Sequence, residues 1–302
     1  MTVGELARAD ARGRAAGRGL AWEVGPFAVR LRTKLAAAVD GVRLLYADFP
    51  LCDNGTVVDA EFIVRRKRFW PVAVTLRVDG EIQYDWLSPR LVVPMLEWAM
   101  NVSVFQRVHQ YLMLHSAVVA RNGRAAILVG RAGSGKSTLC AGLVERGWRL
   151  LSDEVALVDP SDGRLRAVPR PISLKGRSIE VIRRFAPGAT IGPSWAGTAK
   201  GTVAHVVPPR DSVARSAETA EPAWVIFPIY ADGEDASMAP LARAQAFVRA
   251  VDNAFNYGVY GRSGFELLSA MIGRCPCFEL CYGDLGRAVE RIERLVADGG
   301  AV

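Results

Sequence analysis

One stretch constrains this chain more than any other: Gly130-Arg131-Ala132-Gly133-Ser134-Gly135-Lys136-Ser137-Thr138. An apolar run at 125–129 precedes it, and a segment with helical spacing at 139–147 follows. A buried strand that breaks into such a loop and restarts as a helix is the context a P-loop requires. Gly130, Gly133 and Gly135 let the backbone turn tightly, so that successive N–H groups, Ser134 among them, point inward at a helix N-terminus, where the dipole favours a phosphate chain. Lys136 then reaches the β- and γ-phosphates. Ser137 is the expected ligand of a Mg²⁺ that bridges those phosphates, with Thr138 as a weaker contact. The residues predict an α/β catalytic domain that binds a nucleoside triphosphate.

What such a domain does depends on the charged groups around the loop. Asp153-Glu154 ends the next apolar run, Trp148-Arg149-Leu150-Leu151-Ser152, seventeen and eighteen positions after Lys136. A carboxylate there can hold Mg²⁺ or accept a proton from an attacking hydroxyl. Successive strand residues point opposite ways, so the two divide those roles. His115 lies on a strand expected over 113–120, which passes through the Arg121-Asn122-Gly123-Arg124 turn into the P-loop strand. So short a turn makes the two strands antiparallel neighbours. His115 is a candidate acid–base or supporting group, with a hydrogen-bonded core histidine as the alternative. The Pro- and Gly-rich span 159–222 carries Arg170, Lys175, Lys200 and Arg210 as candidate phosphate or substrate contacts. It reads as loops that move or close over the site.

With 302 residues, half of them hydrophobic and 23% charged, the chain can bury a sizeable core. Three spans are expected: a flexible, Arg-rich arm over 1–24, a small strand-rich N-terminal domain over 25–90, and the P-loop domain over 91–302. Strands are expected at 27–32, 42–46, 62–65 and 72–78, with Asp79-Gly80 turning a hairpin into 82–84. A helix is expected over 94–112, with Leu96, Met100, Val104, Val108 and Leu112 on one face. Glu97, Asn101, Gln106, Arg107 and His109 interrupt the apolar stretch 91–114, so it does not read as a membrane span. Further on, strands are expected at 224–228 and 278–280, and helices at 241–251, 265–272 and 285–296.

The net charge of +7 is spread along the chain, and the local concentrations, such as Arg65-Arg66-Lys67-Arg68, read as solvated faces. Without an aromatic platform between them, nucleic acid ranks last as a partner. Five cysteines, an odd number with no secretory signal, point to a reduced, cytoplasmic protein. Cys275, Cys277 and Cys281 lack a fourth nearby ligand and read as buried thiols on a late strand.

His115, the 130–137 loop, Arg146-Gly147-Trp148-Arg149-Leu150 and Asp153-Glu154 resemble the catalytic domain of the bacterial HPr kinase/phosphorylase family. A looser pattern resembles its HPr-kinase-related kinase A group: Glu97-Trp98, Pro169-Arg170-Pro171-Ile172-Ser173-Leu174-Lys175, Lys200-Gly201-Thr202-Val203-Ala204-His205, Asn256-Tyr257 and Gly264-Phe265. The resemblance implies an HPr kinase-like fold. It also implies phosphorylation of serine-type hydroxyls on small proteins or ribosomally made peptides, including lasso-peptide precursors. Lys136 would bind phosphate, Ser137 Mg²⁺, and His115 would support the site. The family's proton-accepting aspartate falls on Glu154, with Asp153 matching its neighbour, and His205 joins the candidate contacts. Ser173 stands where the family has a Mg²⁺-binding Glu.

The reading is an ATP-dependent, Mg²⁺-requiring kinase acting on a Ser or Thr hydroxyl of a small protein or peptide. Lys136, Asp153, Glu154 and His115 form its catalytic set, and Ser137 and Asp153 its metal side. The alternative is a nucleotide-gated peptide-binding module without phosphotransfer. No membrane partner is expected, and a homo-oligomer is left open.

Overall fold

The computed structural model describes residues 1–70, 72–107 and 109–297. From the N-terminus, helix α1 (Arg8–Ala16) leads into β1 (Leu20–Val24), β2 (Phe27–Thr33), α2 (Ala36–Leu45), β3 (Ala60–Phe69), β4 (Val72–Val78) and β5 (Glu81–Leu87). The strands form one sheet in the order β1-β2-β3-β4-β5, parallel only between β2 and β3. Asp79 and Gly80, both at positive φ, turn the β4–β5 hairpin where the sequence places it.

Two expectations fail in this region. The flexible arm expected over 1–24 holds α1 and β1 and buries Val3, Leu6, Ala11, Ala15, Leu20 and Trp22. Its arginines occupy the outer face of α1, which leaves the alanines free to pack. The strand expected at 42–46 belongs to α2, because Ala38, Val39, Val42 and Leu45 are buried at helical spacing. A five-residue window is too short to reveal that period. The hydrophobic cluster beneath the sheet continues past residue 90, into Val92, Leu96, Met113, Leu157 and Val168.

Helix α3 (Val92–Arg107) follows, then β6 (Leu112–Leu114), β7 (Ser116–Arg121), β8 (Arg124–Val129), α4 (Lys136–Glu145), β9 (Arg149–Ser152), β10 (Ala156–Val158) and β11 (Leu165–Arg166). The helix expected to reach Leu112 stops at Arg107, and Leu112 lies on β6; Val108 is outside the described residues. The strand expected over 113–120 is interrupted at His115, whose N–H donates to the Asn253 carbonyl at 2.7 Å.

The span expected as loops is instead ordered: β12 (Ile172–Lys175), α5 (Arg177–Phe185), β13 (Trp195–Thr198), β14 (Gly201–Val206) and α6 (Arg210–Ala214). Glycines mark several of its turns; Gly176, between β12 and α5, and Gly201, which opens β14, have φ +54 and +78. The chain ends with β15 (Glu221–Tyr230), β16 (Ser237–Pro240), α7 (Arg243–Val251), α8 (Tyr257–Arg274), β17 (Cys277–Tyr282) and α9 (Leu285–Ala297).

The molecule is mixed α/β with several sheets. A six-stranded sheet, β16-β17-β15-β8-β7-β9, is parallel across β17, β15 and β8 and antiparallel elsewhere. Alternate residues feed its two faces. Ala117, Leu128, Ile226 and Leu280 pack with α4, α5 and α9, while Val118, Ile127, Val225 and Phe227 pack with α7 and α8. Among the described residues no helix is long and apolar enough to cross a membrane.

Candidate functional site

The parallel strands β8, β15 and β17 end at one edge of the sheet, the usual position of a ligand crevice in such sheets. The glycine loop leaves β8 there, with Tyr230 and Tyr282 closing β15 and β17 beside it. Gly135 caps α4 at φ +92, and its carbonyl accepts a hydrogen bond from the Tyr282 hydroxyl at 3.0 Å. The Lys136 ammonium turns back onto the loop, donating to the carbonyls of Gly130 and, at 3.0 Å, Arg131. Burial lowers its pKa, an effect opposed by Asp153 and Glu154.

The acidic pair faces the loop. Asp153 is only 4% exposed; its Oδ2 accepts the Ser173 N–H at 3.0 Å, and its Oδ1 has no partner among the described residues. Burial first, and then the neighbouring Glu154, push its carboxyl up to about 7, against the Ser173 amide and the Ser137 hydroxyl, which favour the charged form. Glu154 is more open, its side chain 25% exposed, with Oε2 lying 3.7 Å from His115 Nε2. The β7–β8 register explains His115: Ser116 pairs with Val129, so His115 stands level with the start of the loop. Burial first, and then Lys136, bring its pKa down to about 4, with Glu154 opposing. It is a neutral imidazole at physiological pH.

These groups line a cleft of about 660 Å³, together with Thr138, Ser173, Lys175 and Lys200. Val181, Phe185, Tyr230 and Tyr282 supply its less polar wall. That volume is within the ordinary range of small-molecule pockets. A second chamber, of about 120 Å³, lies against the same acidic pair and shares Ser173, Lys175 and Lys200 with the cleft. Helix α3 contributes Trp98 to it, and β14 contributes His205.

Two expected contacts stand apart from the cleft at the glycine loop. Arg170 is buried in a knot, donating to Glu97 Oε2 and the Glu97 carbonyl, both at 2.8 Å, to Asn101 Oδ1, and to Tyr46 Oη at 3.4 Å. It borders the second chamber, but Glu97 neutralises its charge. Arg210 lies outside both cavities, exposed on α6, 3.9 Å from Asp48. Tyr282, Tyr230 and Phe185 were not legible beforehand: each ends an apolar strand or helix face, and only tertiary packing brings them to the loop.

A family model described as "ScmC: SynChlorMet cassette protein ScmC" matches residues 81–175. That span holds His115, the glycine loop, the acidic pair and Lys175. No curated protein matches the chain. Among solved structures, the Hpr(Ser) kinase/phosphatase from Coxiella burnetii is similar over 62% of this chain and 99% of that chain, at 14% identity and a TM-score of 0.29.

Proposed function

We propose that the chain is an ATP-dependent kinase that transfers the γ-phosphoryl group to a Ser or Thr hydroxyl of a small protein or peptide. The observation that carries this reading is the meeting, in one cleft, of a glycine loop bearing Lys136 and Ser137 with two carboxylates in unlike surroundings. The residues fit a magnesium-bound nucleotide. Asp153 Oδ1 is buried without a partner, and Ser137 favours the ionised carboxylate beside it. Among the described residues no group of three or more His, Cys, Asp or Glu could hold a metal. Two protein donors suffice for Mg²⁺, which completes its octahedron with water and phosphate oxygens. Ser137 and Asp153 would hold the ion, and the loop N–H groups with Lys136 would hold the phosphates. When bound, Mg²⁺ neutralises charge on the β- and γ-phosphates.

The unlike surroundings of the carboxylates support a division of roles between them. Asp153 is enclosed and beside Ser137, which suits a metal ligand. Glu154 is half-buried, reaches both cavities and has the neutral His115 to orient it, which suits a proton acceptor. The resemblance of the sequence to HPr kinases gives the same assignment. In the transfer, the acceptor oxygen forms the new O–P bond and its proton passes to Glu154. The bond from the γ-phosphorus to the bridging oxygen breaks with its electrons leaving on ADP. Lys136, Lys175 and Lys200 offset charge on the moving group. All five cysteines are free thiols, which fits a reducing, cytoplasmic setting.

The test is incubation with γ-labelled ATP, Mg²⁺ and Ser- and Thr-bearing peptides. Lys136→Ala should lose on the order of 10²-fold or more in rate. Glu154→Gln should lose transfer yet keep its affinity for Mg·ATP, whereas Asp153→Asn should lose the gain in ATP affinity that Mg²⁺ gives. Near-normal transfer by Lys136→Ala would sink the reading. ATP-dependent peptide binding with no label would replace it with a nucleotide-gated binding module.

A further inference from the structure

Two cavities share the acidic pair, and only one of them touches the glycine loop. The second chamber is bounded by α3, the segment that follows β9, and the β12–β14 pair, where Ser173 and His205 stand opposite each other in register. Its lining mixes apolar side chains with a few buried polar groups. His205 is only 4% exposed, and its Nδ1 has no hydrogen-bond partner among the described residues; the same holds of Asp153 Oδ1. Leaving a buried polar atom unpaired costs about 1–3 kcal/mol; a cation in the cleft would satisfy Asp153, so the unpaired His205 Nδ1 is the atom that points to an absent polar occupant of the chamber. Trp98 forms one wall, with the Lys200 ammonium 4.3 Å from its ring centroid. At about 120 Å³ the chamber exceeds the roughly 10–15 Å³ that a single water needs.

We propose that this chamber is the acceptor pocket. It admits a short hydroxyl-bearing side chain, Ser or Thr, past Trp98, and His205 Nδ1 bonds a polar group of the flanking backbone. The inference rests on the kinase reading and adds the side from which the acceptor arrives. A nucleotide on the loop occupies the cleft side of Asp153 and Glu154. An in-line acceptor must approach from across the transferring group. The chamber borders the same carboxylate pair without reaching the glycine loop, and Lys175 and Lys200, which line it too, would meet negative charge on the moving group. His205 suits recognition of a neutral group, since burial lowers its pKa and leaves the ring uncharged, with one donor and one acceptor nitrogen.

The experiment uses the full chain and three sets of short peptides that differ only in the acceptor, Ser, Thr or Tyr. Transfer from γ-labelled ATP is measured, and peptide affinity is measured by calorimetry with a non-transferable ATP analogue. Trp98→Ala and His205→Phe should each raise the KM and the Kd for Ser and Thr peptides about tenfold, the scale of one lost buried contact. Affinity for Mg·ATP should stay within about twofold, and His205→Gln, which can still hydrogen-bond, should recover most of the loss. Tyr peptides should be poor acceptors throughout. If the peptides are labelled but KM and Kd are unmoved in Trp98→Ala and His205→Phe, the chamber is not the acceptor pocket and the kinase reading stands. Mg·ATP binding with no label on any peptide would remove the kinase reading and the chamber's role with it.

Discussion

At Gly135 two constraints coincide on one residue. Its φ of +92 is a conformation L side chains rarely adopt, and a Cβ there would lie 2.2 Å from the Tyr282 hydroxyl that hydrogen-bonds its own carbonyl. The left-handed conformation costs an alanine about 1–2 kcal/mol, and relieving the contact must displace either Tyr282 or the loop. Both movements change where the first N–H groups of α4 point. Gly135→Ala should therefore lower nucleotide affinity at least tenfold while leaving the circular dichroism of the chain unchanged. Tyr282→Phe, which removes the hydrogen bond but adds no atoms, should cost far less. Equal nucleotide affinity in wild type and Gly135→Ala, measured by titration, would remove the claim that this position without a Cβ shapes the loop.

Between elements, one buried polar tie is built on an arginine that the sequence offered as a phosphate or substrate contact. Arg170, just before β12, joins Glu97 of α3 and Tyr46 at the end of α2, all three buried. Burial and the Glu97 charge push the Tyr46 phenol well above its ordinary pKa, so it remains a donor to Glu97. Glu97→Ala would strand the Arg170 guanidinium without its counter-charge, a change that typically costs about 3–5 kcal/mol. A clear drop in denaturant midpoint is expected, and no drop would show that the knot contributes little. Nothing in Pro169-Arg170-Pro171 distinguishes a buried arginine from a phosphate ligand, because the partner lies 73 residues away. Elements with strong local signals were legible: the β4–β5 hairpin from Asp79-Gly80, the β7–β8 hairpin from Asn122-Gly123, and β8, α4 and α9 from their apolar periods. The elements between 172 and 206 were not, since short strands flanked by Gly and Pro look like loops until their partners are known.

For the whole molecule, the glycine-loop side of the candidate site was legible and the chamber side was not. The loop, the acidic pair and His115 adjoin the ends of β8, β9 and β7, neighbouring strands of one sheet, so chain order nearly determines their proximity. The chamber needs α3 and the β12–β14 pair folded against that sheet, which no local pattern encodes. Enclosing Asp153 this way has a consequence for stability. Its carboxyl titrates at about 7 in the folded chain, against about 3.9 when unfolded. Between those values the folded state holds a proton the unfolded state has released, so this group makes stability fall as pH rises through that window. His115 acts in the opposite sense: with its folded pKa down to about 4 against about 6.5 unfolded, it makes stability fall as pH drops from 6.5 to 4. The two slopes oppose one another at acid pH, and above pH 6.5 only that of Asp153 remains. Asp153→Asn removes the buried charge while keeping the shape, so it should be more stable than wild type by a few kcal/mol at pH 8 and show much less advantage at pH 5. Thermal unfolding of both proteins at the two pH values measures this. A variant no more stable than wild type at pH 8 would mean that Asp153 is already ionised and partnered, and that the cleft holds no unmet demand for a cation. The expected gain in stability with loss of Mg²⁺-dependent ATP affinity would instead mark Asp153 as a group kept under strain for the ligand it awaits.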